Sequence, residues 1–203
     1  MKKLAVFSMG LFAPAELHGG PLQSDILGGV GMLSVETDVS RVTFAAARID
    51  AVKIGLNVAG ATLLAEDSIG SIAVGGSITD SRVLVGYNFA GQPLASAAEI
   101  GKVKVSGNWI ASDLVAGVAA GNGFFGDIDD TLAGPGLTAR IAKIVIKGAA
   151  FGTVDDVRDH FGFVTREIGA FKVGKAKLAL SKGGAPDVFE VGVTGDVTVR
   201  EVA

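Results

Sequence analysis

One spacing recurs along this chain and narrows the folds open to it. The segments Val30-Gly-Met-Leu-Ser-Val35, Ile49-Asp-Ala-Val-Lys-Ile54 and Ile69-Gly-Ser-Ile-Ala-Val74 carry apolar residues at offsets 0, 3 and 5. Ile100-Gly-Lys-Val-Lys-Val105, Ile141-Ala-Lys-Ile-Val-Ile146 and Ile168-Gly-Ala-Phe-Lys-Val173 repeat the pattern. Offsets 3 and 5 lie on one face of a strand, because strand side chains alternate with period two. Val, Ile and Phe favour strand over helix at these places. A second apolar patch follows each unit. Offset 9 holds Val39, Val58, Ile78 and Trp109, and offset 14 holds Phe44, Leu63, Val83 and Leu114. Offset 16 adds Ala46, Ala65, Val85 and Ala116. Between the patches stand turn formers such as Gly75-Gly76-Ser77 and Ser106-Gly107-Asn108.

The early units are about 19–20 residues long, and later ones lengthen through local insertions. A unit of this size buries too few aliphatic side chains to offset the entropy of ordering its own backbone. Its N–H and C=O groups need partners in the units on either side. The pattern therefore predicts an all-β fold, a parallel β-helix solenoid. Offsets 0, 3, 5, 9 and 14 are expected to point inward, with charged residues in corners and insertions. A leucine-rich repeat is the competing solenoid, since Asn57 and Asn108 occupy its polar offset. Arg41-Val-Thr-Phe44 and Arg82-Val-Leu-Val-Gly86 oppose it, being strand-like and too short for a helix. A left-handed β-helix would show a hexapeptide rhythm, which is missing, so the right-handed form is expected.

The predicted organisation is one β-helix domain over residues 1–203. Residues 1–29 form an irregular first coil or a signal-like segment. Coils occupy 30–180, with insertions near 87–99, 118–140 and 153–167, and a terminal β segment covers 181–203. The first fifteen residues admit two readings. Lys2 and Lys3, the apolar run Leu4–Phe12 and Ala13-Pro14-Ala15 resemble a secretory signal. Met1, Leu4 and Val6 instead fit the offsets of an ordered first coil.

Composition excludes several classes. The chain is 49% hydrophobic and carries a formal net charge of −3, so it is not an intrinsically disordered chain. No basic surplus is available to neutralise phosphates, which argues against a nucleic-acid partner. No apolar stretch is long enough to span a membrane as a helix. With no cysteine there is no disulfide, no thiolate metal site and no Cys nucleophile. Walker, nucleophile-elbow and zinc-protease motifs are also missing.

The units Ile69–Gly86 and Ile100–Gly117 resemble the Gly-rich coils of large exported bacterial surface or secreted proteins, most of them uncharacterised. Asp159-His-Phe-Gly-Phe163 and the ending Thr194–Val202 resemble the carboxy-terminal part of such proteins. The resemblance covers roughly residues 30–202 and implies an exported β-helical module. It supplies no catalytic residues.

Two local clusters stand out. Gly121-Asn-Gly-Phe-Phe-Gly-Asp-Ile-Asp-Asp130 offers Asn122, Asp127, Asp129 and Asp130 as hard oxygen ligands on a glycine-rich wrap, a pattern that suits calcium. It resembles the loops of bacterial calcium-binding repeats, with Asn122 in place of an Asp and Asp127 in place of a Thr. It departs from the EF-hand spacing, and a solvated acidic turn is the alternative. Asp155-Asp156-Val157-Arg158-Asp159-His160 contains acid–base groups, but a charge run is more often a solvated loop. His18 stands alone. The expected function is a structural or adhesive module of an exported bacterial protein, extracellular or at the cell surface, with a glycan or cell-surface partner and self-association through open coil ends. The alternative is a polysaccharide lyase or hydrolase acting on an extracellular glycan.

Overall fold

The computed structural model describes residues 1–11, 22–153, 159–181 and 186–203. Among these residues the chain is all-β and contains no helix. A mostly parallel, curled 14-stranded sheet faces a 6-stranded parallel sheet of two-residue strands. The curl begins within single strands. Leu22–Val35, Val42–Ile54 and Thr62–Val74 each run through both patches of the repeat. Their register shifts after Ile26 and Ala46, where the strands bend and the sheet divides into two limbs.

The first limb stacks equivalent offsets. Leu33, Val52, Ile72, Val103, Ile144 and Phe171 are register partners from one strand to the next. Val35, Ile54, Val74, Val105, Ile146 and Val173 form the adjacent column. Met1, Leu4 and Val6 extend the pattern backwards. The strand Leu4–Val6 pairs with Leu33–Val35. The small sheet aligns Met9, Val39, Val58, Ile78, Trp109 and Ala150. The second limb aligns Phe44, Leu63, Val83, Leu114, Phe163 and Val199. All three strips enclose one aliphatic core. Towards the carboxy end the core is filled by rings, with Trp109 to Phe163 and Phe163 to Phe171 each 4.9 Å between centroids.

The corners follow from the sequence too. Arg41, Gly60, Asp80 and Ala111 share one repeat offset, and all have positive φ, from 43° to 60°. The chain turns from the small sheet into the second limb there. At the preceding corner a side-chain ladder replaces the missing strand bonds. Asp38 Oδ1 accepts from Asn57 Nδ2 at 3.0 Å, and Asn57 Oδ1 accepts from the Ser77 N–H at 2.9 Å. Ser77 Oγ accepts from the Asn108 N–H and Asn108 Oδ1 from the Ala149 N–H, both at 3.0 Å. The polar residues at that offset are thus corner braces.

Two expectations need correction. The pairing is not uniformly parallel. Val118–Ala119 with Thr131–Leu132, Phe171–Val173 with Ala176–Lys177, and Val188–Glu190 with Val197–Glu201 are antiparallel. Each returns the chain on itself where no further repeat unit follows directly. Charged residues are not confined to corners and insertions either. Lys53, Lys102, Lys104, Lys143 and Lys172 stand on the outer face of first-limb strands.

Candidate functional site

The second limb is apolar on both faces. Ala45, Leu64, Leu84, Val115 and Val164 point away from the main core yet are buried. Leaving such a strip wet would forfeit roughly 25 cal/mol per Å² of apolar surface. The insertions cover it. Tyr87 and Phe89 come from the first, and Val118, Phe125 and Leu132 from the second. Tyr87 donates its hydroxyl proton to the Val118 carbonyl, and its ring meets Phe125 edge-on at 6.5 Å. Burial raises the Tyr87 hydroxyl pKa well above its usual range.

This packing positions the acidic loop. Phe125 anchors it, and Thr198 Oγ1 donates to the Gly126 carbonyl at 2.6 Å, tying it to the last strand. Gly126 has φ 102°, a conformation that an L side chain rarely adopts. Its N–H donates to Asp130 Oδ2 at 2.7 Å. Asp130 is only 4% exposed, and its Oδ1 is buried with no hydrogen-bond partner. Burial pushes the Asp130 carboxyl up to about 7, against the Gly126 hydrogen bond, with Asp127 adding to the rise.

Carboxylate oxygens of Asp127, Asp129 and Asp130 lie within 4.8 Å of one another. Asn122 joins the group differently. Its Nδ2 donates to Asp127 Oδ2 at 2.6 Å, while its Oδ1 accepts from the Phe124 N–H at 2.9 Å. Partial burial pushes Asp127 up, but hydrogen bonds from Asp129 and Asn122 outweigh it and hold the carboxyl below the usual range. The hydrogen bond with Asp127 raises the Asp129 carboxyl in turn. The structure therefore brings together three of the four ligand candidates, with Asn122 as a brace.

Residues 155–158 of the second sequence cluster lie outside the described residues, as do residues 12–21, which include His18. Asp159 accepts from Thr153 Oγ1 at 2.8 Å. His160 has a buried Nδ1 without a partner, close enough to Asp127 to favour its charge. Sequence reasoning missed a further buried acid, Asp113, which is 2% exposed. Its Oδ1 accepts from the Gly162 N–H at 3.0 Å and its Oδ2 meets Arg82 Nε at 3.3 Å. Burial raises it to about 6, although both partners oppose the rise. Its signal in the sequence is faint: an Asp directly ahead of the apolar run Leu114–Ala116.

No helix among the described residues is long and apolar enough to cross a membrane. Comparison with protein-family models, with curated proteins and with solved structures finds no match to this chain.

Proposed function

We propose that the chain is a structural or adhesive module of an exported bacterial protein, built as a right-handed parallel β-helix. One observation carries this reading: equivalent repeat offsets are register partners across six successive strands of the first limb. Stacking of this kind makes a rod whose strength adds up unit by unit. Parallel connections within one sheet are overwhelmingly right-handed, which supports the hand. Single-molecule stretching tests the reading. Extension in steps of roughly 65–70 Å, one unit of about 20 residues at full extension, is expected. A single unfolding event at low force overturns it, and turnover of an extracellular polysaccharide replaces it with the catalytic alternative.

Within this module the 121–130 loop is proposed as a calcium site. The Asp130 oxygen buried without a partner supports it, beside two further carboxylates. Calcium takes six to eight oxygens, so backbone carbonyls or water would complete the shell. A ligand at about 100 times its Kd stabilises by about 2.7 kcal/mol, which raises Tm by several degrees in a chain of this size. Calorimetry with calcium and then with chelator is expected to show that shift and its reversal. The Asp130→Asn variant is expected to lose it. An unchanged Tm in the parent protein leaves the loop as an acidic turn.

A further inference from the structure

Six of the eleven lysines lie on or directly after neighbouring strands of the first limb. Lys102 and Lys104 lie on the strand Ala98–Val105, Lys143 on Ala139–Ile146, Lys172 on Phe171–Val173 and Lys177 on Ala176–Lys177. Lys147 follows the second of these strands directly. Lys102 is the register partner of Lys143, Lys104 of Val145, Val145 of Lys172, and Lys172 of Lys177. Val103, Val105, Ile144, Ile146 and Phe171 point into the core, so the intervening lysines project outward. All six lysines are exposed, and none forms an ion pair or a side-chain hydrogen bond. Of the acids beside these lysines, Glu167 pairs with Arg140, the register partner of Glu99 at the start of the strand Ala98–Val105.

Like charges directly opposite each other on a sheet are destabilising. Yet a chain with a net charge of −3 places Lys102 beside Lys143 and Lys172 beside Lys177. The arrangement costs stability unless an anion covers it. Several features narrow the anion. The residues among the lysines are small or short, namely Gly101, Ala73, Val145 and Ala170, so the surface is flat. It has no exposed aromatic ring on which bases would stack. It has no large apolar side chain to enter a lipid layer, the exposed ones (Phe7, Leu27 and Ile128 among them) lying elsewhere in the chain. Arg140, at the start of the strand Ala139–Ile146, is paired with Glu167, which leaves ammonium point charges as the unpaired cations of the face. These charges are spaced by the strand separation, about 4.8 Å, and its multiples. That spacing is of the same order as one sugar in an extended polysaccharide.

We propose that this face binds a linear acidic glycan that carries a carboxylate or sulfate on successive sugars, lying across the strands. The inference rests on the adhesive reading of the module and names the partner. The polymer would neutralise several lysines at once, so its affinity comes from many weak pairs and falls with salt.

The test uses the whole chain and polygalacturonate as the probe. Binding by calorimetry or biolayer interferometry at low salt is expected, and it weakens at least about tenfold between 50 and 200 mM salt. The pair Lys104→Glu and Lys143→Glu is expected to lose at least tenfold, whereas Lys2→Glu with Lys3→Glu retains binding. Lys104→Gln with Lys143→Gln, checked by circular dichroism, gives an intermediate loss and guards against a misfolded charge reversal. Absence of binding at low salt overturns the proposal, as does binding that the face variants leave unchanged. Equal or tighter binding to duplex DNA, or to vesicles containing phosphatidylserine, also overturns it in favour of another polyanion. Polymer length is followed by size exclusion in the same samples. Shortening of the polymer refutes the structural reading while leaving the binding face intact.

Discussion

Asp113 contributes, alongside Asp130, to the pH response expected of this protein. Its carboxylate sits almost fully buried against Arg82 and the Gly162 N–H, and burial raises it to about 6. An Asp in the unfolded chain titrates near 3.9. Between these values the folded state binds more protons than the unfolded state, so stability falls as pH rises from about 4 to 6. The slope from this one group is at most about 1.4 kcal/mol per pH unit. Urea denaturation at pH 4, 5, 6 and 7 is expected to show this contribution, and Asp113→Asn is expected to flatten it. The Asn oxygen still accepts from Gly162, so the variant should remain folded. A profile identical to that of the parent would mean that the carboxylate does not titrate in this window. At the same scale, the sequence made some residues readable and not others. Asn57 and Asn108 were visible as a recurring polar offset, and the ladder explains why. Asp113 and Arg82 share one repeat offset, but no charged residue type recurs there, and their pairing depends on neighbouring units lying in register.

At the scale of elements, the insertions matter most. The insertion expected near 118–140 carries a cover over an apolar outer face, pinned by Phe125 and Tyr87. The sequence held the hint in Val83-Leu84-Val85, Leu114-Val115-Ala116 and Phe163-Val164. A continuous apolar run marks a strand buried on both faces, whereas alternation marks one buried face. Removing the Phe125 ring should uncover that strip. Phe125→Ala is expected to destabilise by about 3 kcal/mol, at the lower end for a buried Phe because one side of the segment is open. Hydrogen exchange should quicken first in residues 118–132, while first-limb amides near Ile144 keep their protection. Uniform loss of protection would show that the cover and the stack unfold as one.

The two ends of the whole molecule differ. At the carboxy end, antiparallel returns (Ala176–Lys177 and Val188–Glu190) lie on the outermost parallel strands. At the amino end, among the described residues, Leu4–Val6 pairs on one side only, with Leu33–Val35. Phe7 is 70% exposed and Leu27 95% exposed nearby in the chain. An open edge with apolar side chains invites a second copy. Light scattering is therefore expected to show average mass rising with concentration, and Phe7→Lys should suppress the rise. A strict monomer at high concentration would mean that this end is covered.

The sequence by itself determined the β class, the unit length and the inward columns, because period-two alternation and turn chemistry are local and each unit restates them. The lysines of the outer face were equally present, Lys102 and Lys143 at offset 2 and Lys104 and Lys172 at offset 4 of their units. Only the tertiary structure decided which strands became neighbours, and so assembled those lysines into one surface. It also decided the course of the insertions and the burial of Asp113 and Asp130. Those outcomes rest on contacts such as Asp113 to Gly162, 49 residues apart, and Gly126 to Thr198, 72 apart. Contacts at such separations form only when the sheet has curled and closed, and no local period encodes that closure.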